Sequence, residues 1–178
     1  MKRAPLLALA LTAILTAGSA QAQLAGKGAG PLGRGGQGPL GINSDSFNYD
    51  PSACLSVWKG KVEATQDQTR MRADQVNVYN HKSGGKGCDN DFERMEASGN
   101  VFYVTPELKA RGDRAVYIVA DDTVTITGRV IVSSDQGVSE TNKLVLNVNT
   151  NEARMGDQTP GQRVKAVIYP SKKAPAAK

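Results

Sequence analysis

Residues 123–148 read TVTITGRVIVSSDQGVSETNKLVLNV. Apolar side chains alternate at Val124, Ile126, Val130 and Val132, with Gly128 in the same phase, and resume at Leu144, Leu146 and Val148. A period of two among β-branched residues marks strands with one buried face. Between the two runs, Ser133-Ser134-Asp135-Gln136-Gly137 has the composition of a hairpin turn. The stretch is a predicted β-hairpin, and the chain repeats it.

A Gly-polar-Val step occurs at Gly60-Lys61-Val62, Gly99-Asn100-Val101 and Gly128-Arg129-Val130. Fourteen residues after each Gly comes an acidic or amide residue and then a long polar one: Asp74-Gln75, Asp113-Arg114, Asn142-Lys143. Apolar pairs follow in one phase at Val76/Val78, Ala115/Tyr117 and Leu144/Leu146. The Gly-to-Gly intervals are 39 and 29, and the difference fits a loop insertion over residues 81–91. Such a period predicts stacked supersecondary units that bury a shared face.

Outward from this core, residues 1–22 read as a secretory signal. Lys2 and Arg3 precede a short apolar run over 6–15, and Ala20-Gln21-Ala22 supplies a small-x-small cleavage site. The run is shorter than the roughly 20 residues a membrane span needs. Residues 23–52 hold eight glycines and read as a flexible arm, because such composition buries too little apolar surface to offset chain entropy. Residues 170–178 read as a disordered basic tail. That leaves one domain over 53–169, with strands expected at 55–66, 71–80, 92–105, 107–120, 123–133, 138–148, 152–155 and 163–169. No helical period with caps follows the signal, so the fold class is all-β.

The whole chain carries a net charge of +5, yet residues 53–169 hold 15 Lys/Arg against 15 Asp/Glu. A folded part without a basic face argues against nucleic acid as a partner. Cys54 and Cys88 both lie in the exported part, and an oxidising compartment makes a disulfide between them the expectation. A redox or metal pair fits less well, since there is no CxxC and His81 is the only histidine. No nucleophile-base pair, carboxylate pair or ligand cluster emerges. Asp121-Asp122 reads as a turn, and the change from Asp74 and Asp113 to Asn142 suits a structural contact rather than acid/base work. The expectation is therefore a protein that is no enzyme and has no cofactor and no metal.

The apolar residues in one phase, Val62, Val76, Val78, Val101, Tyr103, Ala115, Tyr117, Val130, Val132, Leu144 and Leu146, support two readings. One is the interior of a closed β-sandwich. The other is a sheet folded onto itself and left open along one side, its lining free to hold a lipid tail.

The segments 71–79 (MRADQVNVY), 97–101 (ASGNV), 108–117 (LKARGDRAVY) and 123–128 (TVTITG) resemble the OstA-like family of lipopolysaccharide-transport proteins. The resemblance runs from about Val57 to Tyr169; each motif is short, and their order and phase carry the match. It implies an open, twisted β-jellyroll whose groove shields lipid A acyl chains in the periplasm. Implied partners are lipopolysaccharide, the jellyroll domains of LptC and LptD, and further copies of the chain head to tail, all joined by edge-strand pairing. The docking edges would then be the first strand, with Leu55, Val57 and Val62, and the last, with Val164, Ala166 and Ile168. The reading from another class is a periplasmic adaptor β-domain with a closed core and protein partners only.

Overall fold

The computed structural model describes residues 38–84, 87–157, 160 and 162–170. The signal, residues 23–37 of the arm and the tail from 171 lie outside the described residues. Ten strands form one antiparallel sheet: β1 (Gly41–Asn43), β2 (Ser46–Asp50), β3 (Leu55–Gln66), β4 (Thr69–Ser83), β5 (Gly87–Val104), β6 (Leu108–Ile118), β7 (Thr123–Ser134), β8 (Gly137–Asn147), β9 (Ala153–Met155) and β10 (Lys165–Ile168). The order is β1-β3-β4-β5-β6-β7-β8-β10, with β2 also on β3 and β9 also on β8. Among the described residues no ladder joins β1 to β10, so the sheet is open.

Two expectations need correction. The flexible arm does not extend to residue 52: β1 and β2 pair with β3 along its outer side. Leu40 and Ile42 pack half-buried against the core, and Phe47 stacks on Trp58 with ring centroids 4.3 Å apart. These apolar side chains supply the burial that the glycines around them cannot. The loop insertion over 81–91 is also mostly strand, because β4 and β5 extend as a hairpin that pairs Lys82 with Cys88 and Ser83 with Gly87.

The turn from β2 to β3 is locally determined. Asp50 Oδ1 accepts from the Ser52 amide (2.8 Å), the Ser52 hydroxyl (2.6 Å) and the Ala53 amide (3.2 Å). The Ser52 hydroxyl, then the two amides, hold the Asp50 carboxyl below its ordinary value of 3.8. The turn delivers Cys54, with φ 51°, to a disulfide with Cys88 at a Cα–Cα distance of 5.5 Å.

The repeated motif proves to be a crease. Register shifts fall at Lys59/Val62, Ser98/Val101 and Thr127/Val130, where Gly60, Gly99 and Gly128 adopt φ of 81°, 74° and 101°. Each glycine lies against a carboxylate of the preceding unit: Asp45 at Gly60, Asp74 at Gly99, Asp113 at Gly128. The side chains continue the contact. Asn100 Nδ2 donates to Asp74 Oδ2 (3.0 Å), and the Arg129 amide donates to Asp113 Oδ2 (3.2 Å). At the far end Asn142 Nδ2 donates to Asp157 Oδ2 (2.8 Å), beside Gly156 at φ 83°. So each acidic residue serves the glycine that follows it, rather than the one fourteen residues before.

Bulges bend strands and increase twist. Here they line up across β3 to β8, which folds the sheet over on itself. On β4, β6 and β8 two successive side chains face outward at this line, Asp74-Gln75, Asp113-Arg114 and Asn142-Lys143. The inward phase therefore flips from Met71/Ala73 to Val76, from Ala110/Gly112 to Ala115, and from Thr141 to Leu144.

Candidate functional site: the apolar interior

The two halves created by the crease face each other across one apolar cluster. Ten of the sequence-picked lining residues are buried in it: Val62, Val76, Val101, Tyr103, Ala115, Tyr117, Val130, Val132, Leu144 and Leu146. Val78 is half-buried and packs against the same cluster. Ile126, Leu144, Val62, Val76, Val101 and Val130 are among its largest fully enclosed side chains. The inner face is continuous from β3 to β8, because each strand contributes residues above and below the crease.

A cavity of about 20 Å³ lies where the halves meet, lined by Met71, Met95, Ala97, Tyr103, Ala115, Tyr117 and Val124. That is room for about one water, far short of an acyl chain. Met71 and Tyr103 come from one side of the crease; Met95, Ala97, Ala115, Tyr117 and Val124 come from the other. Sequence reasoning missed Met71, Met95 and Ala97. The sign that could have found Met71 is the flip of inward phase at Asp74-Gln75, which makes the first half of β4 look out of step.

Two larger hollows, about 390 and 500 Å³, lie around the exposed Phe102. Their walls carry Lys61, Glu63, Arg70 and Arg72, with Glu63 paired to Arg72. Such charged walls do not suit a hydrocarbon. For an apolar ligand the inner face is the relevant surface, despite its smaller opening.

Two polar atoms of the interior stand out. The Tyr117 hydroxyl donates to Asp122 Oδ1 (3.3 Å). The Tyr103 hydroxyl, on a residue only 2% exposed, has no protein hydrogen-bond partner among the described residues, and burial raises its pKa. Leaving a buried hydroxyl unpaired costs on the order of 1–3 kcal/mol. Among the described residues no group of three or more His, Cys, Asp or Glu side chains converges as metal ligands would. His81 sits beside Glu93 (3.5 Å) on the exposed β4–β5 extension.

The expected docking edges are placed differently at the two ends. Leu55 and Val57 lie opposite Asp50 and Asn48 of β2, and Val62 is buried, so β3 is an interior strand. The amino-terminal edge is instead β1 and β2, which follows from Leu40 and Ile42 packing against the core and Phe47 stacking on Trp58. At the other end β10 carries Ala166 and Ile168, with Val164 just before it. Val164, Val167, Ile168 and Tyr169 are 46%, 63%, 75% and 56% exposed, an apolar run that a free monomer leaves in water.

Comparison with known proteins follows the same lines. Residues 41–152 match the family described as "LptA/(LptD N-terminal domain) LPS transport protein", and the match begins at β1. An uncharacterized protein of Rhizobium meliloti is 25% identical over 136 residues, covering 74% of this chain and 72% of its own. The lipopolysaccharide export system protein LptH of Pseudomonas aeruginosa is 25% identical over 149 residues, covering 76% of this chain and 82% of its own. The crystal structure of LptH, described as the LptA homologous periplasmic component of the lipopolysaccharide transport device, superposes with a TM-score of 0.65 at 22% identity. It covers 79% of this chain and 100% of LptH, so the fold is the open LptH jellyroll. The chain belongs to the LptA/(LptD N-terminal domain) family of LPS transport proteins, which are not enzymes.

Proposed function

We propose that the apolar inner face receives the acyl chains of lipid A, and that the protein is a periplasmic carrier and bridge passing lipopolysaccharide from inner to outer membrane. The observation that carries this reading is the continuous apolar face across β3 to β8 in a sheet whose edges are not joined. An open sheet can widen about its crease without breaking a ladder. A closed barrel would have to give up backbone hydrogen bonds, each expensive to leave unmade. Each acyl CH₂ taken from water is worth about 0.8 kcal/mol, so a chain with several carbons inside has the driving force to part the halves.

Photo-crosslinker placed at Val101, Val130 or Leu146 should give lipopolysaccharide adducts in cells, and at the exposed Ile131 should not. Complete absence of adducts from all three inward positions would leave the adaptor with a closed core. The cavity of about 20 Å³ is the observation that favours that second reading.

The edges β1/β2 and β10 support end-to-end assembly, either with further copies or with the LptC and LptD jellyrolls. Strand addition supplies backbone hydrogen bonds at an open edge, and the apolar run from Val164 to Tyr169 would be covered in the joint. Exchanging Val167 and Ile168 for Lys should abolish end-to-end oligomers in light scattering at high protein concentration, with the far-ultraviolet circular dichroism unchanged. Oligomers that persist in the double variant would remove β10 from the joint. Export through cleavage after residue 22 fits the periplasmic description of LptH and the Cys54–Cys88 disulfide.

A further inference from the structure

We propose that the outer face of the sheet around Phe102 is a docking surface for an anionic phospholipid bilayer. It lies on the opposite side of the sheet from the apolar interior and does not depend on what that interior holds. Met71, Tyr103, Ala110 and Val132 are buried on the inner side, and their neighbours along each strand face out. Outward along β5 stand Phe102 and Val104. Beside them are Arg72 and Arg70 on β4, and Arg111 and Lys109 on β6, all four exposed. β7 then places Ile131 opposite Arg111. Phe102 and Ile131 are 43% and 41% exposed, and the Arg111 guanidinium lies over the Phe102 ring at 5.7 Å. Two pairs of cations thus bracket an apolar strip across about 10 Å, two strand spacings.

Residues 53–169 hold 15 Lys/Arg against 15 Asp/Glu, but that balance is uneven in space. Around this block the carboxylates stand at the flanks and in the turn. Glu63 on β3 pairs with Arg72, Glu140 on β8 lies opposite Ile131, and Glu107 accepts from the Thr105 hydroxyl (2.9 Å). Among the described residues Arg70 and Lys109 have no ion-pair partner. Neighbouring like charges on a sheet repel, and large apolar side chains between them stay wet, so the free protein gains nothing from either. A bilayer answers both. Guanidinium and ammonium groups meet lipid phosphates, while Phe102 and Ile131 enter the border between headgroups and acyl chains. The hollow of about 390 Å³ between Arg70, Arg72, Phe102 and Val104, unsuited to a hydrocarbon, has the charge and the room for a headgroup phosphate. A nucleic acid would call for several stacking rings in series, and here Phe102 stands alone.

The test is flotation of the purified mature protein with vesicles of phosphatidylglycerol and phosphatidylcholine in equal parts, and with phosphatidylcholine alone. The native protein should float with the mixed vesicles only, and less so as salt is raised. The double variant Arg70→Gln, Lys109→Gln should bind them about 10-fold more weakly or worse, since each basic residue at an anionic surface contributes about fivefold. Phe102→Ala with Ile131→Ala should also weaken binding, with the salt dependence unchanged. Lys59→Gln with Lys82→Gln removes the same charge from exposed positions outside the block and should stay within about twofold of native. Circular dichroism checks that each variant is folded. A native protein that ignores the mixed vesicles, or binds phosphatidylcholine as well, overturns the proposal and leaves the block to an acidic protein. Undiminished binding by Arg70→Gln, Lys109→Gln also overturns it, by assigning the attraction to the basic termini. So does an equal loss in Lys59→Gln, Lys82→Gln, which would assign it to net charge. None of these outcomes bears on the interior, which the crosslinks at Val101, Val130 and Leu146 test separately.

Discussion

Gly99→Ala should be among the most damaging single substitutions in the domain, lowering stability by about 3 kcal/mol or more. Two independent terms add up to this. Gly99 has φ 74°, a left-handed conformation that is strained for any residue with a Cβ, at about 1–3 kcal/mol. A Cβ there would also stand 2.9 Å from the Asp74 Cβ and closer still to its carboxylate, a collision with the neighbouring strand rather than with a free side-chain end. Relief of the collision would pull Asp74 away from Asn100 Nδ2 (3.0 Å) and loosen the rung. Urea unfolding followed by circular dichroism measures the effect; with a slope of about 2 kcal/mol per molar, the midpoint should fall by more than about 1 M. Ser98→Ala, on the exposed neighbour, is the control and should stay within about 0.5 kcal/mol of the native protein. Adding Asp74→Gly to Gly99→Ala should recover the steric part and leave the backbone part, a non-additive pair. A Gly99→Ala midpoint indistinguishable from that of Ser98→Ala would mean that the crease is not a rigid feature of the fold.

The same rung shows what the sequence could and could not convey. Strand β3 was legible to its ends, and the hairpin of β7 and β8 to within a residue, because both keep an uninterrupted or glycine-marked period of two. The acidic residues at Asp74 and Asp113 were legible as a repeat but not as partners, since contact runs across strands while spacing is counted along one. Read the other way, Asp45 precedes Gly60 by the same fifteen residues that separate Asp113 from Gly128. That spacing places a unit inside the glycine-rich segment, where β1 and β2 occur. Glycine density over 23–41 masked it, and Leu40, Ile42 and Phe47 are too few to show a period by themselves.

The interior was legible as a set of residues and not as a volume. Phase along a strand says which side chains share a face; it does not say how far apart two facing halves stand. That distance depends on the bend at the crease, set by Gly60, Gly99 and Gly128 together with the carboxylates under them. A face of Val, Leu and Ala kept out of contact with lipid has every reason to collapse, since apolar surface held apart in water is unfavourable by about 25 cal/mol per Å². The cavity of about 20 Å³, which taken by itself favours a closed core, is therefore also compatible with a carrier whose apolar halves close on each other. Crosslinking at Val101, Val130 and Leu146 separates the two because it reads occupancy rather than volume.

Loss of the Cys54–Cys88 bridge is the other change with a large expected effect. The two residues are 34 apart, and closing a loop of that length in the unfolded chain is worth about 4 kcal/mol of stability by chain entropy. The bridge ties the β4–β5 extension to the turn that delivers β3, so the constraint spans three strands. The double variant Cys54→Ser, Cys88→Ser should therefore unfold at a urea concentration about 2 M lower than the oxidised native protein, given the slope used above. Adding dithiothreitol should bring the native protein down to the same midpoint and leave the variant where it was. Two results would count against this account. A variant midpoint within about 0.3 M of the native one, with amides of residues 80–90 exchanging fast, would show that the extension opens alone and that its loop closure lies outside the cooperative unit. A native midpoint insensitive to dithiothreitol, in protein shown by mass to be reduced, would show that the bridge constrains a chain already held together there by Asp50, Ser52 and the pairing of β2 with β3.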